Sequence, residues 1–168
     1  DIVLMGRARH VRIYGAPTKH DRAQVANTLD RVGIGHLADR VYARLSGGER
    51  QLVLIARALA SECRTIVLDE PAAALDLRNQ AKVLQVLRAL ADDGMAVVMT
   101  THHPDHALHI AEQVVLMVSA TDQRIGPTRE LLTDALLSEL YDVPIVTADV
   151  ATPSGVRRII VPDFGRGV

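Results

Sequence analysis

The sequence has little of three features that would point to particular classes of protein. Its one cysteine, Cys63, permits no internal disulfide and fits a reducing compartment. The 19 Lys and Arg residues are balanced by 20 Asp and Glu residues and are scattered, so no basic stripe indicates nucleic acid as a partner. Apolar runs such as "MAVVM" at 95–99 and "VVLMV" at 114–118 fall far short of the ~20 residues that span a bilayer. These scarcities argue against a disulfide scaffold, a nucleic-acid-binding protein and a protein with its own membrane-spanning segment.

The rest of the composition is that of one globular domain. The chain has 168 residues, 48% of them hydrophobic, which is enough to bury a core of ordinary size. It begins at Asp1 and runs at once into the apolar letters "IVLM". We therefore expect it to be part of a longer polypeptide, and the absence of a targeting signal at this end carries no weight.

The first quarter of the sequence has a helical pattern. Residues 2–44 contain "DRAQVANTLDRVG", in which Val25, Leu29 and Val32 recur at spacings of four and three. Gly33 is placed to end that helix, and "YGAPTKHD" before it is rich in turn formers. The pattern predicts a helical lobe.

The middle of the chain alternates between helices and short strands. A helix with one apolar face, "GERQLVLIARALASE", comes before three continuously apolar runs at 65–69, 96–100 and 114–118. Such runs are typical of parallel strands buried on both faces. Helical segments at 78–94 and 104–112 separate them. This order predicts an α/β fold with a parallel sheet that binds ligands at the carboxyl ends of its strands.

The last part of the sequence has a weaker pattern. The letters "RELLTDALLSELY" predict helical structure, and "VTADV", "ATPSG" and "VRRIIV" predict a terminal β-hairpin. The turn "SATDQ" after the third strand lacks the usual glycine, so the sequence leaves its geometry open.

The stretch "LSGGERQ" at 45–51 resembles a phosphate cradle at the start of a helix. Gly47 and Gly48 let the backbone approach an anion, Ser46 offers a hydroxyl donor, and the free amides of the helix start add partial positive charge. The alternative is a plain serine N-cap followed by a flexible joint.

Two consecutive acids, Asp69 and Glu70, follow the first strand in "TIVLDEP". The carboxyl edge of a parallel sheet is where such folds bind phosphates and Mg²⁺. The chemistry favours Asp69 as a ligand of the metal and Glu70 as the group that orients or deprotonates water. An acid that simply ends the strand is the alternative.

Four histidines, at 102, 103, 106 and 109, follow the second strand. His102 stands directly after that strand, so we expect it at the same edge as Asp69 and Glu70, where it could donate to a phosphate or to water. A cap of the helix that starts at Pro104 is the alternative. A four-histidine zinc site would need the rings to converge across this strand-to-helix turn, which the pattern disfavours.

The order "LSGGERQ", "IVLDEP", "ALD" and "TH" resembles the ATP-binding cassette ATPases, in which these are the signature motif, Walker B, the D-loop and the switch. The tail "LLTDALLSELYDVPI" is similar to that of the ATPases from importers of iron chelates, haem and cobalamin. The resemblance implies that Glu70 is the water-polarising base and His102 the γ-phosphate sensor, and that Asp69 holds Mg²⁺. It also implies that one set of residues contacts ATP bound by a second subunit across a dimer: Ser46, Gly47, Gly48, Glu49 and, at the interface, Asp76.

The family's Walker A motif is absent from the sequence. A P-loop needs Gly-Lys before Ser or Thr, whereas the only lysines, Lys19 and Lys82, follow Thr18 and Ala81. The family's glutamine loop and nucleotide-stacking aromatic are also missing, so we expect this chain alone not to hydrolyse ATP. The D-loop has Ala72 and Ala73 where the family often has small hydroxylated residues.

The resemblance implies an α/β, partial P-loop NTPase fold (RecA-like) with a helical signature subdomain and without the N-terminal Walker A portion. We expect a partial helical subdomain over 1–44, the RecA-like core over 45–120, and C-terminal helices with a hairpin over 121–168. The implied partners are a second ATPase subunit, as a homodimer, and a transmembrane permease faced by the helical lobe, which places the protein at the cytoplasmic face of the membrane.

Two other functions remain open. A naturally shortened, non-catalytic subunit would contribute its signature face in trans to an intact partner. A chromosome-maintenance or repair ATPase of the same superfamily would carry the same motifs, but the heptad repeats of its long coiled coils are absent here.

Overall fold

The computed structural model describes residues 1–11 and 15–165. Residues 12–14, inside the predicted helical lobe, and 166–168, inside the predicted C-terminal region, lie outside the described residues. The chain divides into two compact units, 1–100 and 101–168, and each is described by itself. In the described ranges no helix combines the length and the apolar composition needed to cross a bilayer.

Helices make up most of the first unit. They are the 3-10 helices Val3–His10, Gly35–Leu37 and Tyr42–Arg44, and the α-helices α1 (Lys19–Arg31), α2 (Gly47–Leu59) and α3 (Leu77–Asp92). The predicted helical character of residues 2–44 is therefore confirmed for the described part. The chain leaves α1 through Gly33, whose φ of 73° is open to glycine without strain.

The two strands of the first unit, β1 (Thr65–Leu68) and β2 (Ala96–Met99), pair in parallel through the crossover helix α3. This pairing was predicted, but the expected burial on both faces is wrong. Ile66 is 3% exposed whereas Val67, on the opposite face, is 73% exposed. The reason is that side chains alternate across a strand and, among the described residues of this unit, only one face of the pair is covered.

The core of the first unit lies between α2, α3 and the covered face of the sheet. The predicted apolar stripe of α2 is buried, and its Ile55 and Ala56 are fully inaccessible. In α3 the buried residues include Val83, Leu84 and Leu87. Each fully buried Ile or Leu contributes about 1.5–3 kcal/mol to folding, so these two helices position the loops at their ends.

The second unit contains the remaining elements. They are α4 (Pro104–Ile110), β3 (Gln113–Met117), β4 (Gln123–Pro127), α5 (Thr128–Leu131), α6 (Asp134–Tyr141), β5 (Ile145–Thr152) and β6 (Gly155–Pro162). The predicted terminal hairpin is confirmed, since β5 and β6 pair antiparallel around a turn with Gly155 at φ 114°. Its core includes Leu132 and Leu137, which are 2% and 0% exposed.

The prediction that 114–118 forms a third parallel strand is wrong. In the described structure β3 pairs antiparallel with β4, which the sequence did not indicate. Only five residues join the two strands, too few for a parallel crossover. The turn needs no glycine because the Ser119 hydroxyl accepts hydrogen bonds from the amides of Thr121 at 3.2 Å and Asp122 at 2.9 Å.

The helical structure predicted for "RELLTDALLSELY" is confirmed, and it is divided into two separate helices, α5 and α6. Thr133 stands between them in an extended conformation and caps α6 by accepting a hydrogen bond from the amide of Leu136. A threonine followed by an aspartate is a helix-start signal, and here it outweighs the continuous helical pattern.

Candidate functional site

The start of α2 is built by a reciprocal pair of hydrogen bonds between Ser46 and Glu49. The Glu49 amide donates to Ser46 Oγ at 3.3 Å, and the Ser46 amide donates to Glu49 Oε2 at 2.7 Å. The bond from the Ser46 amide, followed by that from its side chain, lowers the pKa of Glu49. The structure therefore contains the predicted N-cap, in which the Ser46 hydroxyl accepts from the Glu49 amide.

The two glycines of this turn have different surroundings. A Cβ on the exposed Gly47 would meet only Leu75, at 3.6 Å, which is an ordinary contact. A Cβ on the buried Gly48 would lie 2.3 Å from Cγ of Asn79, so no other residue fits without a shift. The second glycine is thus required for close approach of the α2 and α3 ends.

Asn79 joins this turn to Asp76, the predicted interface residue. Asp76 caps α3 by accepting from the Asn79 amide at 2.8 Å, and its other oxygen accepts from Asn79 Nδ2, also at 2.8 Å. The side-chain amide that packs against Gly48 is therefore oriented by Asp76. Sequence reasoning missed Asn79, although an Asp followed three residues later by a polar residue at a helix start is a usable signal.

The acids after β1 are held by Thr100, which directly follows β2. The Thr100 hydroxyl donates to Oδ1 of Asp69 and accepts from the amide of Glu70 at 3.0 Å. Glu70 has a φ of 43°, a left-handed conformation that costs a non-glycine residue about 1–3 kcal/mol. The parallel register therefore lets one hydroxyl hold the Asp69 carboxylate and the Glu70 backbone. The neighbouring Ala72 is buried with 2% exposure.

The donor set at this strand end fits Mg²⁺ shared with a phosphate. Asp69 Oδ2 has no hydrogen-bond partner among the described residues, and a carboxylate oxygen is a preferred Mg²⁺ ligand. Across residues 1–11 and 15–165 no group of three or more His, Cys, Asp or Glu side chains could hold a metal ion. The Asp69 carboxylate fits Mg²⁺, an ion that takes one or two protein carboxylates and completes its shell with phosphate and water.

The histidines belong to the second unit, where they form a row of rings. The centroids of His102 and His103 are 4.0 Å apart, and those of His103 and His106 are 4.9 Å apart. Burial, followed by the neighbouring His103, lowers the pKa of His106. Tyr141 donates to the carbonyl oxygen of His102 at 3.2 Å. Neighbouring rings in this row are tilted by 43° and 44°, and no group of three or more His, Cys, Asp or Glu side chains among the described residues could hold a metal ion, so the geometry does not support a zinc site. The closeness of His102 to Glu70 stays a prediction.

Comparison with known proteins gives the family. The family model described as ABC transporter matches residues 4–73. A solved metal-chelate type ABC transporter in an inward-facing conformation is 41% identical, with a TM-score of 0.92 over 98% of this chain and 65% of that chain. The molybdate import ATP-binding protein MolC of Haemophilus influenzae is 46% identical over 146 residues, which are 86% of this chain and 57% of MolC. The chain belongs to the ABC transporter ATPase family.

A further ABC ATPase relative has a different printed substrate. The hemin import ATP-binding protein HmuV of Streptomyces coelicolor is 41% identical over 145 residues, which are 86% of this chain and 51% of HmuV. The chain therefore spans about half the length of the curated relatives it matches. The α/β ABC ATPase fold predicted from the motifs is confirmed, and the segment matched by the family model contains Ser46, Asp69 and Glu70.

One residue of the ABC ATPase chain that organises the acidic pair was not found from the sequence. Thr100 ends the run "AVVMT", and a hydroxyl at a strand end beside a strand that ends in two acids is the signal that could have identified it. The structure brings Ser46, Gly47, Gly48, Glu49 and Asp76 together through Asn79, and Asp69 and Glu70 together through Thr100.

Proposed function

We propose that this chain is part of the ATP-binding and ATP-hydrolysing subunit of an ABC importer. The observation that carries the proposal is the acidic pair Asp69 and Glu70, fixed at the end of β1 by the hydroxyl of Thr100. The same unit presents Ser46 and two glycines at the start of α2. A hydroxyl with helix-start amides suits a phosphate group, and two carboxylates at a strand end suit a metal ion and a water molecule.

Each residue has a role in this proposal. Ser46, Gly47, Gly48 and Glu49 face an ATP molecule held by a second subunit, and Asp76 lies at the interface between the subunits. Ser46 donates its hydroxyl proton to a phosphate oxygen, while Glu49 holds the turn through the Ser46 amide.

The acids act on the ATP bound beside them. Asp69 holds Mg²⁺, which when bound neutralises charge on the phosphates. Glu70 orients the attacking water and accepts its proton, and His102 senses the γ-phosphate.

The chain alone lacks the main phosphate-cradling residues. It contains no Gly-Lys-Ser or Gly-Lys-Thr, so the P-loop of the active enzyme must be supplied by polypeptide outside these 168 residues. That the chain spans about half of MolC and of HmuV supports this. We expect no ATP hydrolysis from the 168 residues by themselves.

The substrate is proposed to be a metal chelate of the iron-siderophore, haem or cobalamin type. The similarity to HmuV and to a metal-chelate type transporter supports this class. Molybdate is the second candidate, supported by the 46% identity to MolC. Uptake of iron-siderophore, haem, cobalamin and molybdate by cells that produce the complete transporter distinguishes them. If deletion of the gene for this ATPase abolished only the uptake of molybdate, the metal-chelate proposal would be wrong.

The proposed assembly is a homodimer of ATPase subunits bound to a transmembrane permease at the cytoplasmic face of the membrane. The import functions printed for MolC and HmuV support a permease partner. Size measurement with and without ATP tests the dimer, and co-purification tests the permease contact.

The test of the catalytic proposal is Glu70→Gln in the full polypeptide that joins this chain to a P-loop. ATP hydrolysis should fall at least about 100-fold because general-base catalysis is lost, while ATP affinity stays within about twofold. The matched control is Glu130→Gln, since Glu130 is exposed and lies outside the proposed site. Unchanged hydrolysis in Glu70→Gln would contradict the role of Glu70.

A second candidate function follows from the presence of the signature turn without a P-loop. A naturally short subunit would contribute Ser46 and its glycines in trans to an intact ATPase. The coding sequence upstream of the Asp1 codon distinguishes the two functions. An upstream reading frame that encodes Gly-Lys-Ser or Gly-Lys-Thr would support the full-length subunit. A start codon just upstream of the Asp1 codon would instead support the naturally short subunit.

A further inference from the structure

A cavity in the second unit is lined by basic side chains from two elements. It has a volume of about 520 Å³ and lies among α4, α5, β5 and β6. Arg129 comes from α5, and the consecutive Arg157 and Arg158 come from β6. This volume is within the range of sites for small organic molecules, about 300–1,000 Å³.

The charges around the cavity are unequal. Three guanidinium groups and the imidazole of His109 face a single carboxylate, Asp149. Arg158 forms an ion pair with Asp149 at 3.3 Å, so that one negative charge is already matched. Arg129 has no hydrogen bond or ion pair within the described part of the chain, and Arg157 donates from Nε to the neutral hydroxyl of Ser154 at 3.2 Å. Two positive charges are thus left without a counter-charge among the lining residues.

One wall of the cavity is apolar. Leu108 and Ala111 contribute from α4 and the residue after it, and Val156 contributes from the start of β6. Val156 is 73% exposed, so its side chain is available to a ligand. A small inorganic ion has no apolar part and would leave this wall without a contact.

We propose that this cavity binds a small organic oxyanion, with a phosphate or carboxylate group beside a short apolar body. The fork of N–H donors in arginine matches the paired oxygens of either group, and two arginines from different elements can contact one such group together. The apolar body packs on Leu108 and Val156. The cavity lies outside residues 4–73, the segment matched by the family model, so the proposal stands apart from the proposed ATPase function.

The test is calorimetric titration of the full chain with phenyl phosphate, in comparison with inorganic phosphate and with phenol. We expect saturable binding of one phenyl phosphate per chain, at least about fivefold tighter than inorganic phosphate, because only the ester also covers the apolar wall. Phenol supplies no charge and should not bind. Equal affinity for phenyl phosphate and inorganic phosphate would overturn the assignment of the apolar wall, and no binding of either would overturn the site.

Substitutions of the lining residues test whether phenyl phosphate binds in this cavity. Arg129→Gln should weaken phenyl phosphate binding about five- to tenfold, since one charge-assisted hydrogen bond is lost. Asp149→Asn should strengthen it by releasing Arg158. The control, Arg22→Gln, removes an exposed arginine that does not line the cavity. Its affinity for phenyl phosphate should stay within about twofold of that of the unchanged chain. Thermal unfolding checks that each variant is folded. An equal loss in Arg129→Gln and Arg22→Gln would mean general attraction to a charged surface and would overturn the proposal.

Discussion

The hydroxyl of Thr100, next after β2, donates a hydrogen bond to the carboxylate of Asp69, next after β1. The same hydroxyl accepts from the Glu70 amide at 3.0 Å. Thr100→Val keeps the shape and removes both bonds, so we expect the free energy of unfolding to fall by about 1 kcal/mol in urea denaturation. Thr100→Ser keeps the hydroxyl and is the control. A loss in Thr100→Ser without a loss in Thr100→Val would show that the methyl group, not the hydroxyl, stabilises this strand end.

The close approach of Gly48 to Asn79 gives a second prediction. Gly48→Ala places a methyl group against the Asn79 side chain and should lower the free energy of unfolding by about 1–3 kcal/mol. Gly47→Ala, with only Leu75 at 3.6 Å, should be neutral or slightly stabilising.

Asn79→Ala supplies the control for that clash. Combined with Gly48→Ala in a double-mutant cycle, it should recover part of the loss because it shortens the obstructing side chain. Because Asn79→Ala leaves a Cβ at 2.6 Å, strictly additive effects would mean that the Asn79 amide group is not what obstructs the added methyl group.

The buried ion pair of Arg7 and Asp21 predicts a dependence of stability on pH. Asp21 accepts from the Thr18 hydroxyl at 2.7 Å, from the Thr18 amide at 2.9 Å and from Arg7 Nε at 3.1 Å. The hydrogen bonds from Thr18, followed by that from Arg7, lower the pKa of Asp21 from 3.8 to about 2. Because the pKa is lower in the folded chain, this stabilisation is complete above pH 3.8 and is lost as the pH falls towards 2.

Asp21→Asn tests this dependence. We expect Tm at neutral pH to fall by about 5 °C or more, because Arg7 stays buried with one partner fewer. The decline of Tm between pH 4 and pH 2 should become shallower than in the unchanged chain. Asp39→Asn, at an exposed position, should leave the profile unchanged. A parallel acid decline in Asp21→Asn and the unchanged chain would contradict the pKa assignment.

Local patterns in the sequence were sufficient to predict the helices of the first unit, the parallel pair and the terminal hairpin. The apolar stripe of α2 and the β-branched runs of β1 and β2 are strong periodic signals, and the structure follows them. The features that the sequence did not predict depend on which segments of the chain pair with each other. The run "VVLMV" reads the same in a parallel or an antiparallel sheet, and only its pairing with the weakly patterned "QRIGP" of β4 decides between them.

The candidate site likewise contains some residues that the sequence predicted and others that it did not. The family resemblance selects Ser46, Asp69, Glu70 and Asp76 as candidates, and each stands at the end of an element that the sequence predicts. The two residues that connect them, Asn79 and Thr100, have no distinctive pattern of their own. Their roles arise from the approach of α2 to α3 and from the register of β1 with β2, which local signals do not encode.

The amide of Ile160 in β6 donates to the carboxylate of Asp105 in α4 at 3.1 Å. The letters "VRRIIV" place Ile159, Ile160 and Val161 in succession, so hydrophobicity alone does not choose which of them turns inward, and a slip by one residue would exchange the two faces. The bond to Asp105 ties Ile160 to one register and satisfies an amide on the outer edge of the hairpin. An open strand edge is where foreign strands add to a sheet, and a single carboxylate on a neighbouring helix thus protects this hairpin against both misalignment and aggregation.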